Sequence, residues 1–291
     1  MKTYIELKKQ REFGEILADT FAFIRNEFRP FLGAIAKIAG PYIALFIIGL
    51  IFYIYIIGDQ FNFDFINSTE IYSDPLKMIL AYIVYIVTAT LAYVFTTSTA
   101  LHYIKSYVDH KGNPNIDEVK QNVNNTFWGF LGLSILKGLT VGFAAVLCCI
   151  PVFYVIVPMS VVFPIMVYKN MNATDAYSYS YSLIKDEFWI TLATVIVLII
   201  IMYVLSMVFA IPTVIYTWAK MGVFGNEIDP GNLDTLVDPV YIALNVLSSF
   251  IQYALNLIVV IGSAFIYFNL NERKNFSGTL ERIESLGKIE H

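Results

Sequence analysis

The segment Glu15-Ile-Leu-Ala-Asp-Thr-Phe-Ala-Phe-Ile-Arg-Asn-Glu-Phe28 is echoed at a constant offset by Asp175-Ala-Tyr-Ser-Tyr-Ser-Tyr-Ser-Leu-Ile-Lys-Asp-Glu-Phe188. The pairs are Glu15/Asp175, Thr20/Ser180, Phe21/Tyr181, Ile24/Ile184, Arg25/Lys185, Glu27/Glu187 and Phe28/Phe188. A fainter third copy, Asp117-Glu-Val-Lys-Gln-Asn-Val-Asn-Asn-Thr-Phe127, ends in Phe127-Trp128 where the second runs into Phe188-Trp189. Each copy leads into a long apolar run. An internal repeat decides the architecture before any single element does. The unit reads as an amphipathic helix followed by a transmembrane hairpin, used three times.

Tyr177–Ser182 alternates aromatic and hydroxyl residues, the period of a strand. Its partner in the first copy argues otherwise, because Ile16, Thr20, Phe23, Ile24 and Phe28 fall on one helical face. A lone strand at a bilayer surface would also leave both its edges unpaired. Both copies are therefore expected as interfacial helices, over 12–29 and 174–187, with the third over 115–126.

Outward from these segments, composition agrees with a membrane setting. The 291 residues are 57% hydrophobic and 14% charged, against about 25% charged in a soluble domain. Six runs are long enough to cross a hydrocarbon core: 31–57, 78–103, 127–147, 151–168, 188–216 and 239–268. The third and fourth are separated only by Cys148–Ile150, so 127–168 either crosses twice in a tight hairpin or turns back within the bilayer. Pro151, Pro158 and Pro164 sit in the fourth run, where neighbouring helices can satisfy the freed carbonyls. The first apolar run begins after many charges and is too long for a signal-peptide core, which predicts no cleaved leader. The adjacent Cys148 and Cys149 match neither a disulfide framework nor a Cys-x-x-Cys motif.

Basic residues orient the chain. Fifteen lysines and arginines fall in the N-terminal tail, the second and fourth loops and the 270–291 tail. The opposite loops hold Lys77 and Lys220 among Asp59, Asp64, Glu70, Asp74, Glu227, Asp229, Asp234 and Asp238. The reading is an all-α, multi-pass protein of the inner (cytoplasmic) membrane with both termini cytoplasmic. Trp128 and Trp189 mark the inner interface and Trp218 the outer.

The stretch Pro158-Met-Ser-Val-Val-Phe-Pro-Ile-Met-Val-Tyr-Lys-Asn-Met-Asn-Ala-Thr-Asp-Ala-Tyr-Ser-Tyr-Ser-Tyr-Ser-Leu-Ile-Lys-Asp-Glu-Phe-Trp189 resembles a broad family of prokaryotic six-helix membrane proteins. That family is related to the membrane domain of glycerophosphodiester phosphodiesterases. Gly14–Phe28 and Phe265–Arg273 are similar to it as well. The resemblance implies the six-helix fold. The phosphodiesterases carry a separate catalytic barrel for which this chain has no room, so their activity does not follow, and fold alone does not assign function.

No His-Glu-x-x-His, Gly-x-Ser-x-Gly, Walker or dinucleotide motif is present. No cofactor or metal site is expected, because His102, His110 and His291 are scattered. Two lysines fall within the predicted spans. Lys37 lies about two turns from the inner interface, where its stem can snorkel out. Lys137 lies about 15 Å into its span at 1.5 Å per residue, with no intramembrane acid to pair with. It either snorkels or meets backbone carbonyls, a wet cavity or an anion. Asn245, Ser249, Gln252, Asn256 and Ser263 share one helical face, as interhelical glue or as a polar route. Thr96-Thr97-Ser98-Thr99 opens the same two readings. Arg25 and Glu27, with Lys185 and Glu187, are candidate clamps between repeats, since charges two apart do not pair along one helix.

The leading functional expectation is a non-enzymatic scaffold or accessory subunit, partnered by membrane lipids and other membrane proteins and not by nucleic acid. The alternative is a small transporter or lipid-handling protein, with Lys137 and the Asn245–Asn256 stripe along its route.

Overall fold

The computed structural model describes residues 4–60, 75–147, 149–222 and 237–287, apart from the side chains of 58–60, 149–150 and 285–287. The vicinal cysteine side chains, most of the acidic loop residues and His291 lie outside this description. Every regular element within it is helical: α1 (Phe13–Ile38), α2 (Gly40–Gln60), α3 (Pro75–Asp109), α4 (Ile116–Val146), α5 (Cys149–Tyr168), α6 (Ala173–Ile184), α7 (Phe188–Lys220), α8 (Pro239–Asn275) and α9 (Ser277–Gly287). Six of these, α2 to α5 with α7 and α8, are long and apolar enough to cross a membrane. The chain is a polytopic membrane protein.

The three expected copies take three local forms. In the first, the helix does not stop at 29 but runs through Pro30 to Ile38. Its buried stripe Ile16, Thr20, Phe23, Glu27, Phe31, Ala34, Ile35 and Ile38 continues across the proline at helical spacing. That packing offsets the hydrogen bond Pro30 cannot make. The break comes instead at Ala39, before Gly40-Pro41 opens α2, whose stretch Gly40–Ile57 is long and apolar enough to cross a membrane. In the third copy there is no break at all. Asn115 caps α4 by accepting from the Asp117 and Glu118 amides at 3.1 and 3.4 Å, and the helix runs unbroken through Phe127. In the second copy, α6 ends at Ile184 and α7 starts at Phe188. Tyr177–Ser182 is helical because its periodicity in three dimensions is 3.6: Ala176, Ser180, Leu183 and Ile184 form the buried stripe. The Tyr177 and Tyr181 rings meet one turn apart at 5.5 Å.

The chain divides into two compact units. Unit 1 comprises Met1–Ala39, Val94–Ile201 and Leu257–His291, and unit 2 comprises Gly40–Tyr93 and Met202–Asn256. Unit 1 is interlocked by aromatic pairs. Phe23 meets Tyr107 edge-on at 5.1 Å, Phe31 meets Tyr103 at 5.2 Å, and Phe130 stacks on Phe163 at 5.3 Å. The N-terminal arm is anchored in it by Leu7, at 0% exposure, and Arg11, at 2%. Unit 2 has a small core of Phe46, Leu50 and Ala92, with Tyr253 packing on Phe46 at 4.8 Å. There Tyr253 Oη donates to the Ala89 carbonyl at 3.1 Å. Asp238 caps α8 by accepting from the Tyr241 amide at 2.8 Å and holds the end of α7 through Lys220 at 2.9 Å and the Tyr216 hydroxyl.

Candidate functional site

Lys137 sits on α4 with its ammonium over the face of Phe163, 5.2 Å from the ring centroid. No oxygen acceptor or carboxylate is within bonding distance among the described residues. The ring quadrupole is the partner that the sequence search for intramembrane acids and oxygens could not anticipate. Lys37 lies outside the first span, exposed in the last turn of α1, where a cation complements the helix dipole. It borders an open cavity of about 380 Å³ together with Gly112, Asn113 and Pro114.

The polar stripe does not converge on a site. Asn245 Nδ2 donates back to the Tyr241 carbonyl of its own helix at 2.9 Å, Gln252 is exposed and Asn256 is half-buried. These three belong to unit 2 and Lys137 to unit 1. The clamp residues also separate. Arg25 and Lys185 are exposed. Glu27, 2% exposed, accepts from Tyr103 Oη at 2.9 Å, and Glu187 pairs with Arg273 at 3.0 Å. Glu27 thus meets α3, and Glu187 meets α8.

Thr96, Thr97, Ser98 and Thr99 are all buried, and none of their hydroxyls has a hydrogen-bond partner. Elsewhere Thr20, Thr88, Thr126, Ser134, Thr191 and Thr194 donate to carbonyls one turn back. One turn on, His102 Nε2 lies 3.0 Å from Thr126 Oγ1, whose own proton goes to the Asn122 carbonyl at 2.7 Å. The imidazole proton is thereby assigned to Nε2, leaving Nδ1 as a buried acceptor without a donor.

Two charged networks were not visible from periodicity. Arg11, 2% exposed, donates to the carbonyls of Leu7 at 2.7 Å, Lys9 at 3.1 Å and Glu6, pairs with Asp19 at 2.8 Å, and lies over the Phe265 ring at 4.9 Å. Burial lowers its pKa and the Asp19 partner opposes that shift. Glu272, 2% exposed, accepts from the Gly278 and Thr279 amides at 2.7 and 2.9 Å and so caps α9. Phe276 takes a left-handed φ of 50° to make the turn. A side chain at Gly278 would strike the Lys8 carbonyl, so the arm and α9 approach too closely for anything but glycine.

These ends border a cavity of about 330 Å³ in unit 1, lined by Lys8, Lys105, Lys169 and aromatic residues at the ends of α5 and α8. Asn170 ends α5 in the left-handed region at φ 50°, and the Met171 amide donates to the Met166 carbonyl at 3.2 Å. This C-terminal motif sets Lys169 beside Tyr179, at 2.7 Å to Oη and 4.1 Å to the ring. It also places Asn170 Oδ1 2.8 Å and the Val167 carbonyl 3.1 Å from Lys105 Nζ. Burial alone would raise the Tyr179 pKa, but hydrogen bonds from Lys169 and Asn275, with the Lys169 and Lys274 charges, bring it below its ordinary value. Three lysines line the cavity together with Asp109 and Glu281.

Comparison with protein-family profiles, curated proteins and solved structures finds no match for this chain.

Proposed function

We propose that this protein is a non-enzymatic scaffold or accessory subunit of an inner-membrane complex, with both termini on the basic, cytoplasmic side. The observation that carries this is an uncovered small-residue face on α4. Gly138 and Gly142 are one turn apart and exposed, and nothing lies within 4 Å of where either Cβ would stand. Ala145 continues the same face. Beside it runs an open apolar groove of about 510 Å³ lined by Leu139, Phe143, Leu147, Pro151 and Val155. Small-x-x-x-small faces let transmembrane helices approach closely, which is how helix pairs associate where lipid removes the hydrophobic driving force. The most apolar window of α4 is only 17% buried within the chain, against 56% for α5, so α4 has surface to give to another helix.

The test is a photo-crosslinker at Leu139 or Phe143 in the full-length protein in its native membrane. A discrete protein adduct that disappears in Gly138→Leu or Gly142→Leu supports the reading. Open space over both glycines makes these variants foldable. An adduct with lipid alone, or a protein adduct indifferent to both substitutions, would sink it.

A further inference from the structure

We propose that the cavity at Lys105 and Lys169 binds a phosphate group, either the headgroup of a lipid or a free phosphate-bearing anion.

Most cations of the N-terminal arm and the α8–α9 turn meet a carboxylate. Arg11 and Lys9 have Asp19, Lys8 has Glu281, Arg273 has Glu187 and Arg282 has Glu6, all within 3.4 Å. Lys105 and Lys169 have no carboxylate within ion-pair distance among the described residues. Their ammoniums are held instead by neutral groups: the Val167 carbonyl and Asn170 amide oxygen for one, the Tyr179 phenol for the other. Neutral acceptors fix the position of a charge without cancelling it. Two such charges border one cavity of about 330 Å³, large enough for a phosphate with a small substituent.

The cavity is also built by defined structural elements. Lys105 reaches it from the last turns of α3, and Lys169 from the C-terminal motif that Asn170 closes. Tyr168 stacks on Tyr267 at 5.2 Å and meets Phe268 at 4.5 Å, so the apolar wall between the lysines is rigid. Asn271, Asn275 and Ser277 add polar groups at the α8–α9 turn. Two carboxylates also line the cavity. Glu281 is already engaged by Lys8 at 2.6 Å. Asp109 is exposed and pairs with neither lysine, and its charge opposes an anion. Lysine is suited to phosphate as a compact point charge with several donors. Lowering of the Tyr179 pKa by its lysine and asparagine neighbours is a second sign of uncompensated positive charge on this wall.

The experiment uses the full chain in a neutral detergent. Thermal melting is followed while inorganic phosphate, or a short-chain phosphatidic acid, is titrated at constant ionic strength against chloride, and phosphorus NMR line broadening reports binding directly. A saturable rise in Tm with phosphate-bearing probes is expected. Lys105→Gln and Lys169→Gln should each weaken it roughly tenfold or more, the usual effect of removing a charge-assisted hydrogen bond. Lys169→Arg should retain most of it, Lys185→Gln should leave it unchanged, and Asp109→Asn should tighten it. If Lys105→Gln is too unstable to purify, Lys169→Gln with the NMR readout decides. A response to inorganic phosphate assigns a free anion, and a response to the lipid alone assigns a headgroup. Absence of saturable binding by either probe overturns the proposal. So does binding of unchanged strength in Lys169→Gln, or binding lost in Asp109→Asn.

Discussion

Phe130 in unit 1 and Phe46 in unit 2 are both buried aromatic residues on membrane-spanning helices, yet their surroundings differ. Phe130 is stacked flat on Phe163, which lies beneath the Lys137 ammonium, and the His102 ring stands 6.0 Å away. Phe46 meets the Tyr85 and Tyr253 rings within a core that also holds Leu50 and Ala92. Buried residues are many in unit 1 and few among the described residues of unit 2. Hydrophobicity cannot make that difference, because in lipid an apolar side chain gains little by leaving one apolar neighbour for another. What unit 1 has in addition is a set of directional contacts: Arg11 on three carbonyls, Glu27 on Tyr103, Glu187 on Arg273 and Glu272 on the start of α9. Among the described residues of unit 2, the polar contacts include the Asp238 cap, the Tyr253 bond to Ala89 and the Thr213–Ser248 hydroxyl pair at 3.3 Å.

The sharpest way to break this contrast is to truncate both phenylalanines. Phe130→Ala should cost about 3–5 kcal/mol, the usual range for a buried aromatic, and Phe46→Ala about half of that, because its thin surroundings can close over the gap. Equal losses in detergent-based unfolding would mean that the two cores are equivalent. Next in size is Arg11→Ala, expected to cost about 3 kcal/mol because Asp19 loses its buried partner and three carbonyls lose a donor. Limited proteolysis should then cut within residues 4–12, and a resistant arm would contradict the role given to Arg11. Glu272→Ala should cost roughly 2 kcal/mol, the scale of hydrogen bonds to a charged group. It should raise amide exchange over 277–284 without changing exchange in unit 2. The smallest effect concerns the Asp238 cap of unit 2. Its carboxyl is held below the ordinary range by the Tyr216 hydroxyl, then by the Tyr241 amide and Lys220. A depressed folded-state value means that its contribution is complete above about pH 4, the ordinary aspartate value, and fades only as pH falls further. Asp238→Asn should therefore loosen the α7–α8 junction modestly at neutral pH and abolish that acid-side dependence, as read from exchange at 239–244. An unchanged acid limb would show that another carboxylate governs it.

The sites were less legible than the helices, for reasons that differ by residue. Lys137 stood out as a deep charge, but the partner it found is a ring, and aromatic faces carry no signature among so many phenylalanines. Lys105 and Lys169 looked like ordinary loop-flanking basic residues. Their role depends on Asn170 closing α5 and on the arm and α9 meeting around them. Arg11 sits outside every periodic segment, and the carbonyls it caps are invisible to side-chain patterns. Glu27 and Glu187 stand out through the matched copies, while their partners, Tyr103 and Arg273, lie on α3 and α8, 76 and 86 residues further along the chain.

By itself the sequence determined the class of the protein and the number of its apolar spanning helices, because the length and composition of an apolar run are local properties that the bilayer thickness turns into structure. It also determined that Tyr177–Ser182 is helical, since a strand there would leave backbone groups unpaired. Only the tertiary structure decided where helices end and what each charge meets. Pro30 is carried through α1 because a buried stripe on both sides holds it, and Phe127 lies mid-helix because nothing there interrupts the backbone ladder. The partners of Arg11, Glu272, Lys105 and Lys137 come from distant segments, and contact between distant segments is fixed by packing geometry that no window of sequence contains.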